Sequence, residues 1–84
     1  MSRWEKLIAR LYRLDTSLRY EELAKILETY GYEAQETSGG SSHITFRKDG
    51  CQPVTIPRHK SIKKTYIEVI RDAVDVASKE SDNE

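Results

Sequence analysis

His43 is the residue in this chain best placed to do chemistry. It opens the run His43, Ile44, Thr45, Phe46, Arg47, in which apolar and polar side chains alternate. A strand that buries Ile44 and Phe46 must display His43, Thr45 and Arg47 on its other face. An exposed imidazole can change charge near neutral pH, and a guanidinium two residues away on the same face can meet an anion. Gly40, Ser41 and Ser42 precede the histidine. Glycine lets a phosphate approach backbone N-H groups, and the serine hydroxyls can donate to it or tie the loop. No Gly-Lys-Ser/Thr ending follows, so this loop is not a nucleotide-binding P-loop.

A second strand must lie beside the first. Asp49-Gly50 is a strong hairpin signal, and Val54 and Ile56 alternate inward along a return strand over about 52–56. Pro53 and Pro57 argue for an edge or a strand terminus. Arg58 and His59 follow, then Lys60, Lys63 and Lys64. Arg47, Arg58, Lys63 and Lys64 are candidate phosphate ligands, with a solvated charged face as the alternative. His59 is either a second proton-transfer group or a turn residue.

Helices must cover the buried side of this sheet. Leu23, Ile26, Leu27 and Tyr30 form the apolar stripe of a helix over about 20–30, after a turn and cap at Asp15, Thr16 and Ser17. Gly31 provides its stop. A short strand over 32–37 points Tyr32 and Ala34 inward and Glu33 and Gln35 outward. Ile67, Ile70, Val74 and Ala77 line a last helix from about Lys64 to Ala77, and residues 79–84 read as a flexible tail. Upstream, Trp4, Leu7, Ile8, Leu11 and Leu14 share one face of an amphipathic leader, with Arg3, Lys6, Arg10 and Arg13 on another. That stripe packs on the domain or against a second copy. The order predicts an α+β fold: a three-stranded antiparallel sheet, helices on one face, and an extra N-terminal helix. Residues 1–78 make a single domain, with the leader and its turn in 1–16 and the core in 20–76.

Composition narrows the function classes. An 84-residue chain has room for one small core and a shallow surface site, which suits a polymer better than a buried metabolite. Its formal charge is zero, yet residues 37–66 hold six bases and a single acid, enough to engage a few phosphates. Cys51 is alone and two histidines are too few for a metal set of recognisable spacing, so no cofactor or metal is expected. No apolar run spans a bilayer or makes a signal peptide, and a soluble cytoplasmic protein is the expectation.

Gly40 to Phe46, then Val54 to His59 and a lysine-rich helix start, resembles the HicA-type toxins, the YcfA-like mRNA interferases of toxin-antitoxin modules. Glu21 to Gly31 looks like the first helix of that family and Lys63 to Val74 like its last, so the resemblance covers roughly residues 20–76. It implies a double-stranded-RNA-binding-domain-like fold, an endoribonuclease acting on mRNA or other single-stranded RNA, and a HicB-type antitoxin as partner. It also implies that His43 is the catalytic histidine. The residues alone leave two further readings open: an RNA-binding module using the same basic face, and a protein-binding adaptor built on the leader helix.

Overall fold

The computed structural model describes residues 2–36, 43–58 and 62–82, apart from the side chains of residues 36 and 80–82. The elements run α1 (Arg3–Tyr12), α2 (Tyr20–Thr29), β1 (Glu33–Glu36), β2 (His43–Arg47), β3 (Val54–Pro57) and α3 (Lys64–Asp82). The strands form an antiparallel sheet in the order β1-β2-β3, which puts β2 in the centre. Expected fold class and observed architecture agree.

The core lies between sheet and helices. Ile44, Phe46, Val54 and Ile56 meet Leu23, Ile26 and Leu27 of α2 and Ile67, Ile70 and Val74 of α3, all at most 3% exposed. Register fixes which side each strand residue takes: Phe46 sits between Ala34 and Val54, and Ile44 between Glu36 and Ile56. Leu18 and Ile62 are buried as deeply as these. Ala34, expected inward, shares the side of Phe46 but stays exposed. It lies on an edge strand, which has a neighbour on one side only.

Helix ends follow from local hydrogen bonding. Ser2 caps α1, its Oγ accepting the Glu5 N-H at 3.1 Å while the Glu5 carboxylate reaches back to the Ser2 N-H. Gly31, at φ +96°, ends α2: its N-H donates to the Glu28 carbonyl and that of Tyr32 to Leu27. This is the paired arrangement that needs a left-handed residue. The leader ends in the same way but on Leu14, at φ +57°, with Asp15 donating to Arg10 and Leu14 to Leu11. The helix therefore stops at Tyr12 instead of running through Leu14. A left-handed leucine costs about 1–2 kcal/mol, which its packing against the core offsets.

The leader docks on its own chain. Leu11 is fully buried, the Trp4 ring centroid lies 6.1 Å from that of Tyr30, and the Tyr12 hydroxyl donates to Asp75 at 3.4 Å. Arg10 clasps the following turn: its guanidinium donates to Asp15 at 3.1 Å, Glu22 at 3.0 Å and the Ser17 hydroxyl at 2.9 Å. Asp15 and Ser17 thus build a turn rather than cap α2. The residue before that helix is Arg19, whose N-H donates to Glu22. Hydrogen bonds from Ser17, with the Arg10 guanidinium, lower the Asp15 carboxyl to about 2. A carboxyl depressed on folding stabilises above its ordinary range and loses that contribution as pH falls toward the depressed value. Asp15→Asn should therefore melt below the parent at pH 7, with the gap closing between about pH 4 and pH 2. A gap that persists at the acid end would locate the effect elsewhere.

The hairpin between β2 and β3 forms where expected, and the last helix runs longer than expected. Asp49-Gly50 lies within the hairpin connection, in which six residues, 48–53, separate β2 from β3. Cys51 N-H donates to the Lys48 carbonyl at 3.0 Å, with positive φ at Gly50 but not at Asp49. That is the pattern of a type II turn. α3 runs past Ala77 to Asp82, supported by the Lys79–Asp75 ion pair at 3.2 Å, one helical turn apart. Among the described residues no helix is long and apolar enough to cross a membrane.

Candidate nucleic-acid interface

The sheet face away from the helices carries three rows of side chains. Cross-strand register pairs Glu33 with Arg47, Gln35 with Thr45 and Thr45 with Thr55, and His43 with Pro57. His43, Arg47, Glu33, Gln35 and Thr55 are exposed and Thr45 is half-buried, whereas Pro57 is buried. The imidazole therefore stands at one end of the central strand, where β3 leaves the sheet. Arg47 stands four residues away, about 14 Å at the rise of an extended strand. That separation suits successive positions along an extended polyanion better than a single phosphate.

Cations expected to share this face divide between the two sides of the sheet. Among the described strand residues Arg47 is the cation on the face of His43, and it is opposite the carboxylate of Glu33. Lys48 and Arg58 have the parity of Phe46 and Ile56 and turn toward the helix layer. The Lys48 ammonium sits 5.8 Å from the Tyr32 ring centre, and the Arg58 guanidinium 5.6 Å from that of Tyr20. Tyr20 in turn leans on Phe46, with ring centroids 6.3 Å apart. Arg58 remains exposed and directly follows Pro57, the cross-strand partner of His43. Lys63 and Lys64 are both exposed, Lys64 opening α3 and Lys63 just before it. Gly40, Ser41, Ser42, His59 and Lys60 fall outside the described residues.

Thr45 and Thr55 were not singled out from the sequence, and they form the centre of the face. Their hydroxyl oxygens lie 3.1 Å apart, and either can donate. Outward parity was readable for both, but their pairing depends on register, which parity does not give. Among the described residues no three His, Cys, Asp or Glu side chains gather as a metal-ligand set.

Fold and face together define a small α+β protein whose open sheet carries an imidazole, hydroxyls and a guanidinium. Residues 20–75 match the family described as the HicA toxin of bacterial toxin-antitoxin, two thirds of the chain and the whole sheet included. The chain belongs to the HicA toxin family, the toxin component of a toxin-antitoxin module in which an antitoxin is the partner. The leader helix α1 precedes the matched segment. No curated protein and no solved structure matched the chain.

Proposed function

We propose that this toxin is an endoribonuclease that cleaves mRNA or other single-stranded RNA without a metal, with His43 as its proton-transfer residue. The reading rests chiefly on one observation: His43 is exposed at the end of the central strand, on the open face, where β3 and Arg58 leave the sheet. In the reaction the 2′-hydroxyl of the substrate attacks the adjacent phosphorus as its proton is removed. The bond to the 5′-oxygen then breaks and that oxygen takes up a proton. RNA thus supplies its own nucleophile, and the protein needs only to move protons and stabilise the charged phosphorane. Arg47, Arg58, Lys63 and Lys64 are the cations assigned to the RNA phosphates, Arg47 on the face of His43 and Arg58 just past the end of β3. Gly40, Ser41, Ser42 and His59 adjoin this end in sequence and complete the proposed RNA contact.

A HicB-type antitoxin, in this reading, neutralises the protein by covering the face that carries His43. Residues 20–76 carry the activity, while the leader in 1–16 stabilises the same domain. Division of the cations between two sides of the sheet favours a second reading, an RNA-binding module without turnover. Incubating the purified protein with single-stranded RNA in EDTA separates the two. Cleavage is expected; cleavage only with a divalent ion overturns the mechanism, and binding without cleavage selects the second reading.

A further inference from the structure

Between His43 and Arg47 the open face is low and uncharged. Thr45, Thr55 and Gln35 form its middle row, and the threonine oxygens lie 3.1 Å apart. Thr45 is two residues from both His43 and Arg47, about 6.8 Å each way along the strand. The two threonines are shorter than the imidazole and the guanidinium that flank Thr45 along the strand, so a sugar laid over the pair directs its phosphates toward the imidazole at one end and the guanidinium at the other.

We propose that the Thr45–Thr55 hydroxyl pair is the ribose contact of this face, the group through which the protein tells RNA from DNA. This rests on the RNA-directed reading above. Two hydroxyls that share one hydrogen keep a second O-H to donate and lone pairs to accept with. A phosphate oxygen only accepts, so it uses half of that capacity. A ribose 2′-hydroxyl both donates and accepts, and it is the group that DNA lacks. Gln35, opposite Thr45, adds an amide of the same dual character. Cross-strand threonine pairs also stabilise sheets, and that ordinary role predicts an effect on melting but none on the choice between nucleic acids.

The test uses the full-length chain carrying His43→Ala, so that bound RNA stays intact. Its affinity for an RNA oligonucleotide and for the DNA of the same sequence is read by fluorescence anisotropy, alone and with Thr45→Val, Thr55→Val or both added. Valine keeps the shape and suits a strand. We expect the parent to prefer RNA, each valine to weaken RNA binding about two- to tenfold, and DNA binding to stay unchanged. Thr55→Ser, which retains the hydroxyl, keeps the preference. An RNA-to-DNA ratio that the valines leave unmoved overturns the ribose assignment while the RNA-directed reading stands. A parent that binds neither nucleic acid overturns both.

Discussion

His43→Ala should lower RNA cleavage by about 100- to 10,000-fold, the range that loss of general acid-base catalysis covers, and should leave the protein folded. The imidazole is exposed on the open face, opposite the helices that enclose the core, so its removal takes nothing from that core. Main-chain pairing of residue 43 with Pro57 does not use the imidazole. Cleavage rates and thermal melts on the same preparation check both halves. An unchanged rate would make the histidine incidental, and a collapsed melt would make it structural. In cells the same substitution should abolish growth inhibition.

Phe46→Ala should act through the fold instead, destabilising it and lowering activity with it. Phe46 is fully buried in the central strand, between Ala34 and Val54, and supports the Tyr20 ring on which Arg58 rests. Truncating a buried phenylalanine costs about 3–5 kcal/mol. A domain of this length has roughly 4–13 kcal/mol in total, so the loss is a large share. At about 4–8 °C per kcal/mol, the melting temperature should fall by more than about 10 °C. A shift of only a degree or two would mean that Phe46 is not the centre of the core.

How much of this was legible in the sequence depended on whether a residue announces its surroundings locally. Gly31 did, because a glycine after an apolar stripe marks a helix end. Ile44 with Phe46 and Val54 with Ile56 did, through period-two alternation. Leu18 and Ile62 are isolated among polar neighbours, and no periodicity flags a lone apolar residue, so their burial emerged only from tertiary packing. Leu14 looked like one more helical position because a left-handed leucine has no sequence signature. Charge alone groups Arg58 with Arg47, although Arg58 is two residues past the inward Ile56 and so points the other way. The strand parity was available there and the charge count obscured it. Cross-strand partners are a different matter: Thr45 with Thr55 and Arg47 with Glu33 depend on register and on the length of the 48–53 connection.

The most direct measurement of the central claim is the chemistry of the ends left by the wild-type protein cutting single-stranded RNA in EDTA. If His43 moves protons for an attacking 2′-hydroxyl, the upstream fragment ends in a 2′,3′-cyclic phosphate and the downstream one begins with a 5′-hydroxyl. Fragments that instead carry a 5′-phosphate and a free 3′-hydroxyl would show that water was the nucleophile, which contradicts this account of the site.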